Sequence, residues 1–281
     1  MIITKKRSIL TPPAVNKLPV DQTGAIVDIT DSAIKKQFVR ETADRTSAIL
    51  ASLRQATPAR LGLGRIGTRY KTISTLRLRA DHAAAQDAVW QEVPDDFVAA
   101  LNLLPLRSTC HDEADYLTRP DHGRLLDQPS KMLAKSDLPT HPNVLIAIGD
   151  GLSSAAITAN TAAIIPIIKK TLAAHGIAIG KMPFIKYCRV GAEDELGELT
   201  QADVVCLLIG ERPGLATPKS MSAYVAYQPT IGMPEARRTV ISNIHSGGIP
   251  APTAGDAVAK LILNMLRYRA SGLELKRKMA D

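Results

Sequence analysis

Aromatic residues are scarce in this chain: Phe, Trp and Tyr together make up 4% of its 281 residues. Proteins that bind single-stranded nucleic acid stack bases on aromatic side chains, so this scarcity argues against such a partner. No apolar run reaches the roughly 18 residues that a membrane span requires. The opening segment MIITKKRSIL has no apolar centre like that of a signal peptide. We therefore expect a cytoplasmic protein without a nucleic-acid or membrane partner.

Cysteine is also rare, since the chain contains Cys110, Cys188 and Cys206 and no other. An odd number of cysteines without metal-ligand spacing argues against a disulfide framework, and it fits a reducing compartment. Cys206 lies inside an apolar run, where a thiol behaves as a small hydrophobe.

Familiar catalytic motifs are missing as well. GDGLS is not the nucleophile elbow G-x-S-x-G, no H-x-x-x-H or C-x-x-C occurs, and no Walker lysine follows a glycine loop. His111 and His122 lie near Asp112 and Asp121, but no regular spacing brings these side chains together, which favours capping and surface pairing over metal binding. His245 is the best lone acid–base candidate, although a structural role is favoured. We predict no catalytic residue and no metal ligand on this chain.

The net charge of +8 is unevenly distributed. Between residues 46 and 80 there are basic but no acidic residues: Arg54, Arg60, Arg65, Arg69, Lys71, Arg77 and Arg79. This basic run is either a solvated surface or a contact for an acidic subunit or a phosphate-bearing ligand. The glycines of RLGLGRIG resemble part of a dinucleotide fingerprint, but no apolar strand precedes them, so a basic loop is favoured.

Composition divides the chain into three parts. Residues 1–44 are predicted to form a flexible arm and the beginning of a first helix that ends before Pro58. Residues 45–142 are predicted to be a mainly helical N-terminal part, with the basic loop, a helix from about Leu76 to Trp90 and a polar, turn-rich end. Residues 143–281 alternate between strand and helix.

In this last part, four segments are predicted as strands: VLIAIG, PFIKYCRVG, VVCLLIG and TVISNIH. Between and after them we predict helices over ANTAAIIPIIKKTLAAHG, with a break at Asn160, and over AEDELGELTQ, SMSAYVAY and DAVAKLILNMLRYRASG. Such alternation predicts an α/β fold, with a Rossmann-like parallel sheet and flanking helices.

Ligands of such sheets bind beyond the carboxyl ends of the strands. All four predicted ends are polar or glycine-rich: Asp150 between glycines, Arg189 and Val190, Glu211 and Arg212, and Asn243 with His245. Glu211 and Arg212 are therefore expected to face a shared crevice, with plain capping of neighbouring elements as the alternative. Whether Asp150, Arg212, Asn243 or His245 touches a ligand stays open.

Several longer strings point to a known family. LRLRADHAAAQDAV, YLTRPDHGRLL, GDGLSSAAI, RVGAEDELGE, LLIGERPGL and VISNIHSGGIP occur in this order. Together they resemble the small subunit of ethanolamine ammonia-lyase over about residues 45–275. IGERPGLAT and ISNIH followed by GG are the most specific of these motifs.

The resemblance implies a hetero-oligomeric enzyme that converts ethanolamine to acetaldehyde and ammonia by radical chemistry, with adenosylcobalamin supplying the difficult step. It implies that a large barrel subunit carries the substrate site and the catalytic residues. The small subunit would hold one side of the cobalamin. The basic run would then dock on the large subunit or meet the cofactor phosphate. The cytoplasm remains the expected location, with a bacterial microcompartment as a further possibility.

The family's cofactor contacts carry over to Val190, Glu211 and Val240. Val190 is expected to approach the corrin, Glu211 to accept hydrogen bonds from an amide or hydroxyl of the cofactor, and Val240 to make apolar or main-chain contact. Some relatives have cysteine at the position of Val240. No D-x-H-x-x-G motif occurs, so the cofactor is expected to keep its own base on cobalt. A free-standing nucleotide-binding protein and a non-catalytic scaffold subunit are the alternatives.

Overall fold

A computed structural model describes residues 45–57 and 59–280. The chain divides into two units between Ala80 and Asp81. The predicted arm of residues 1–44 lies outside the described residues, and the first helix is described from Arg45 to Ala56 (α1). The predicted division into residues 1–44, 45–142 and 143–281 stays a prediction.

The predicted basic loop of the first unit contains a short hairpin. Arg65–Ile66 (β1) pairs antiparallel with Arg69–Tyr70 (β2). The turn between them uses Gly67 at φ 62°, a conformation that glycine adopts readily. The hairpin is followed by the helix Thr72–Trp90 (α2), which confirms the helix predicted to end at Trp90.

The second unit continues with alternating helices and strands. In chain order they are α3 (Asp95–Ala100), β3 (Leu104–Arg107), α4 (Glu113–Thr118), α5 (Gln128–Asp137), β4 (Val144–Gly149), α6 (Ser154–Ala173), β5 (Pro183–Lys186), α7 (Ala192–Thr200), β6 (Val204–Gly210), β7 (Met221–Tyr227), β8 (Arg238–Ile244), α8 (Ala251–Tyr268) and α9 (Gly272–Ala280). Short 3-10 turns occupy His122–Arg124 and Glu235–Arg237.

One six-stranded sheet, in the order β3-β5-β4-β6-β7-β8, forms the centre of this unit. The α/β class is confirmed, but the sheet is mixed: β3, β5, β4 and β6 are parallel, whereas β7 pairs antiparallel with both β6 and β8. The predicted helix over SMSAYVAY is wrong, because this segment is β7. Met221, Ala223 and Val225 belong to the core on one face of the sheet, whereas Tyr224 packs against the core on the other face, which is the two-residue period of a strand.

Three further predictions need correction. The break at Asn160 is absent, because the Asn160 amide donates to the carbonyl of Ala156 at 2.8 Å and leaves α6 continuous. The turn-rich end of the N-terminal part contributes β3, an edge strand of the sheet. After α8, the basic end of the chain forms the additional helix α9.

Helices cover both faces of the sheet. On one face α6 and α8 pack over β4, β6 and β7, and on the other face α5 and α7 pack over β3 and β6. The strand β4 contributes Val144, Ile146 and Ile148 to the first core and Leu145 and Ala147 to the second. A strand buried on both faces requires apolar residues at every position, which explains the uninterrupted run in the sequence.

Candidate functional site

Four strands bring their carboxyl ends to the same edge of the sheet. β4, β5 and β6 are parallel, and β8 shares their direction because the chain reverses twice through β7. The predicted polar ends of these strands therefore meet at one edge, as the sequence predicts. The correction of β7 from helix to strand leaves this conclusion unchanged.

An open cavity of about 200 Å³ lies at this edge, between the ends of β5 and β6. Its lining consists of Tyr116, Gly151, Leu152, Cys188, Arg189, Val190, Ile209, Gly210, Glu211, Arg212 and Tyr224. Val190 and Glu211 thus share one cavity. Val240 does not line it: this residue is 46% exposed on β8, directly opposite Tyr224 of β7, and paired residues present their side chains on the same face.

The Glu211 carboxylate joins the ends of three strands. Its Oε2 accepts a hydrogen bond from the Ser220 hydroxyl at 2.7 Å. Its Oε1 accepts one from the Ser222 hydroxyl at 2.5 Å and one from the main-chain N–H of Asn243 at 2.9 Å. A carboxylate offers about four acceptor directions, so Glu211 can accept one further donor while it holds these partners.

His245 has a structural role in the loop after β8. Its Nδ1 accepts a hydrogen bond from the N–H of Gly247 at 3.0 Å, so the proton lies on Nε2, which donates to the side-chain oxygen of Asn243 at 2.7 Å. Asn243 itself adopts a left-handed conformation at φ 62°. Because both ring nitrogens are in use, the geometry favours the structural role over an acid–base role for His245.

Asp150 fixes the turn that follows β5. Its buried carboxylate accepts main-chain hydrogen bonds from Tyr187 at 2.6 Å and Cys188 at 2.8 Å. Tyr187 is held at φ 59°, an unusual conformation for a residue with a large side chain. Burial raises the pKa of Asp150 to about 7, against the lowering effect of these N–H donors. Asp150 therefore positions the segment that leads to Val190, and its carboxylate does not line the cavity.

Tyr116 is a residue of this site that the sequence analysis missed. Its hydroxyl donates to the carbonyl of Cys188 at 2.9 Å, and its ring lies 4.2 Å beneath the guanidinium of Arg189. Burial raises the pKa of the phenol, which therefore stays protonated. Tyr116 comes from α4, in a segment without regular periodicity. Its sequence signal is its place at the start of the family string YLTRPDHGRLL, which does not by itself assign the residue to a site.

In the polar segment, Asp112, Asp121 and His122 take the capping and surface-pairing roles that the sequence predicts. Asp112 caps α4 by accepting a hydrogen bond from the N–H of Asp115, and Asp121 pairs with Arg119 at 2.7 Å. His122 pairs with Asp115 at 2.9 Å, and this hydrogen bond is the main reason that the pKa of Asp115 is lowered. Within the described ranges, no group of three or more His, Cys, Asp and Glu side chains is arranged to hold a metal ion.

The three cysteines are free and buried. Burial raises the pKa of Cys188 well above its usual value, although this residue borders the cavity. Among the helices of residues 45–57 and 59–280, none is both long and apolar enough to cross a membrane.

Comparison with known proteins decides the family. Residues 47–276 match the family model described as "Ethanolamine ammonia-lyase light chain (EutC)". The chain belongs to the ethanolamine ammonia-lyase light chain family. The resemblance seen in the sequence is thereby confirmed, and the chain is a subunit of an ammonia-lyase.

Relatives within this light chain family are similar over nearly the whole chain. A protein of Listeria innocua named ethanolamine ammonia-lyase small subunit is 53% identical, with 90% of this chain and 86% of the relative covered. Proteins with the same name from Clostridium perfringens and Clostridioides difficile are 52% and 50% identical, covering 93% and 95% of this chain and 88% and 90% of the relatives.

Proposed function

We propose that this chain is the small subunit of an adenosylcobalamin-dependent ethanolamine ammonia-lyase and that it holds one side of the cobalamin at the interface with a large subunit. One observation carries the proposal: Val190 and Glu211, assigned to the cofactor by resemblance, line the same cavity at the carboxyl-end edge of the sheet. Such edges are where open α/β sheets bind their ligands.

The chemistry of the lining fits a cobalamin. A corrin has apolar ring faces and a rim of amide side chains, which need apolar contact and hydrogen-bond acceptors. Val190, Ile209 and Leu152 offer the apolar contact, and Glu211 offers an acceptor with one direction free. Val240, half-exposed beside Tyr224, would extend the apolar contact along the sheet.

The size of the cavity argues for a shared site. Pockets that enclose a drug-sized ligand have volumes of about 300–1,000 Å³. At about 200 Å³, this cavity accommodates only part of a cobalamin, so another chain must cover the remainder. This supports a hetero-oligomer in which the large subunit completes the site. The family resemblance further implies that the large subunit carries the catalytic residues and binds ethanolamine.

When bound, adenosylcobalamin supplies the radical chemistry that converts ethanolamine to acetaldehyde and ammonia. The residues of this chain bind, orient and shield it. Glu211 fixes a hydrogen-bonding group of the cofactor, while Val190 excludes water from its side of the site. His245 uses both ring nitrogens within its own loop, so it would offer neither of them to the cofactor.

The hairpin β1–β2 is a suitable contact for the large subunit. Ile66 is 71% exposed beside Arg65 and Arg69, so the hairpin presents apolar area flanked by positive charge. Reversing the charge at Arg65 and Arg69 should weaken assembly with the large subunit, as measured by analytical ultracentrifugation. Unchanged assembly would remove this surface from the proposal.

The nucleotide-binding alternative finds little support at the glycine turn. A Cβ added to Gly151 would lie 2.2 Å from the carbonyl oxygen of Gly210, so the turn is packed against the end of β6. The N–H of Leu152 donates to the same carbonyl, and the hydroxyl of Ser153 caps α6. Two of the main-chain donors that a phosphate loop would present, those of Leu152 and Ala156, are thus already in use.

Reconstitution tests the proposed function. This chain, a large subunit and adenosylcobalamin are mixed with ethanolamine, and acetaldehyde release is followed as the cofactor concentration varies. Glu211→Ala and Val190→Asp should raise the cofactor concentration needed for half-maximal activity by about tenfold or more.

The matched controls Glu274→Ala and Ile231→Asp, both exposed and away from the cavity, should leave it unchanged. Full activity without this chain would refute the subunit role and leave the scaffold alternative. Normal cofactor dependence in both cavity variants would refute the site. Cytoplasmic location, rather than a microcompartment, can be checked by fractionating cells that express the tagged chain.

A further inference from the structure

The cavity carries more positive than negative charge. Arg189 and Arg212 line it from the ends of β5 and β6, whereas Glu211 is the one carboxylate in its lining. Arg212 is exposed, and among residues 45–57 and 59–280 its guanidinium has no hydrogen-bond or ion-pair partner. It is free to bind a group that enters the cavity.

Arg189 is held in place without a carboxylate partner among the residues that the structure describes. Its guanidinium stacks on the ring of Tyr116 at 4.2 Å, and its Nη2 donates to the main-chain carbonyl of Tyr116 at 2.8 Å. Its Nε is buried and finds no acceptor within the part of the chain that the structure describes. Burying a charged group without compensation is costly, so a nearby anion would stabilise this arrangement.

The neighbouring carboxylates do not neutralise these guanidinium groups by direct pairing. Glu211 accepts hydrogen bonds from Ser220, Ser222 and Asn243. Asp150 is directed at the main-chain N–H groups of Tyr187 and Cys188. Both carboxylates are thus committed to holding strand ends together, and the two arginines are left for a ligand.

We propose that Arg189 and Arg212 form a subsite for a phosphate group. Guanidinium groups bind phosphate through paired, charge-assisted hydrogen bonds. The cavity of about 200 Å³ has room for a phosphate group, because a single water needs only about 10–15 Å³ of such volume. The cobalamin of the proposed function bears a phosphodiester in its nucleotide loop, and this source of the phosphate rests on that proposed function. A free phosphorylated ligand is the other source.

The test compares two cofactors that differ in the nucleotide loop and in the phosphate that this loop carries. The complex of this chain with the large subunit is titrated with adenosylcobalamin and with adenosylcobinamide, which lacks the nucleotide loop and its phosphate. Dissociation constants are read from the change in the corrin absorption spectrum. Arg212→Gln should weaken adenosylcobalamin binding by about tenfold and leave adenosylcobinamide binding unchanged.

Lys219→Gln is the matched control, because this exposed lysine loses the same charge nearby but does not line the cavity. It should change neither constant. Arg189→Lys, which keeps the charge but loses the paired donors, should show the same selectivity for adenosylcobalamin. Added salt should reduce the difference between the two cofactors in the wild type.

Competition experiments separate the two sources of phosphate. If inorganic phosphate or ATP binds the wild-type complex and loses affinity in Arg212→Gln, while both cofactors bind normally, the subsite serves a free phosphorylated ligand. If Arg212→Gln alters neither cofactor nor phosphate binding, or weakens both cofactors equally without phosphate competition, the subsite is refuted. Failure of the wild-type complex to bind either cofactor would instead refute the proposed function.

Discussion

The hydroxyl of Ser222, on β7, donates a 2.5 Å hydrogen bond to Oε1 of Glu211, just beyond the end of β6. Ser222 is buried, so its replacement by alanine would remove one of the two hydrogen bonds that Oε1 accepts, at a place shielded from water. Ser222→Ala should therefore lower the free energy of unfolding by about 1–3 kcal/mol. Urea unfolding measures this change, with Ser246→Ala, at an exposed serine of the next loop, as a control that should have almost no effect.

The hydrogen bond from Tyr116 to the carbonyl of Cys188 makes a second prediction. Tyr116→Phe keeps the ring beneath Arg189 and removes only this bond, so the loss should be about 1–2 kcal/mol. The loss should be the same from pH 6 to pH 9, because burial keeps the phenol protonated. Thermal unfolding at several pH values checks both statements. The control is Tyr268→Phe, which should leave the free energy of unfolding unchanged, because the hydroxyl of Tyr268 has no partner among the described residues.

Asp150 makes stability depend on pH. Its pKa is about 7 in the folded chain and about 3.9 in an unfolded one. Between these values the folded chain keeps a proton that the unfolded chain has released. The free energy of unfolding should therefore fall as pH rises, by up to about 1.4 kcal/mol per pH unit, and level off above the folded pKa.

Asp150→Asn should flatten this slope between pH 5 and pH 7, while it lowers stability overall because the amide cannot accept both main-chain hydrogen bonds. Burial also raises the pKa of Glu193, to about 8, so Glu193 adds to the slope in the wild type. The difference between wild type and variant isolates Asp150. An identical slope in both proteins would contradict the prediction.

Alanine substitutions at two glycines with positive φ allow the energetic cost of backbone strain to be distinguished from that of steric crowding. Gly151 and Gly176 have φ values of 62° and 77°. At Gly176, no atom of the described residues lies within 4 Å of an added Cβ, whereas at Gly151 the Cβ would meet the carbonyl oxygen of Gly210 at 2.2 Å. Gly176→Ala should cost about 1–2 kcal/mol, from backbone strain alone. Gly151→Ala should cost about 1–3 kcal/mol more in urea unfolding, and equal costs would contradict the packing of this turn.

The sequence predicts those features of the fold that depend on local patterns. β4 and β6 are uninterrupted apolar runs, and the acidic segment after Val190 forms α7. The helix predicted over β7 is wrong because the small Ser and Ala residues of this segment give only a weak hydrophobic periodicity. Its strand conformation depends on pairing with β6 and β8. Tertiary pairing of this kind overrides local propensity.

The candidate site likewise contains features that local sequence patterns predict and features that depend on tertiary contacts. The placement of Val190, Glu211 and the polar strand ends at one edge of the sheet could be predicted, because parallel strands end at the same edge. The cofactor contacts of Val190 and Glu211 stay a prediction. The contacts of Tyr116 with Cys188 and Arg189 join segments more than 70 residues apart. The hydrogen bonds from Ser220 and Ser222 to Glu211 also depend on tertiary structure, because they form only when β7 runs antiparallel to β6. No local sequence signal specifies such contacts.

The sheet order also bears on how the site is assembled during folding. β6, β7 and β8 are neighbours both in the chain and in the sheet, so they pair over short sequence separations, whereas β3 and β5 pair across β4 and α6. Low contact order favours rapid pairing. Glu211 receives its last partner, Asn243, only when β8 is in place. We therefore expect the strand pairing around Glu211 to form over short sequence separations and the pairing around Val190 to require a longer-range and slower step.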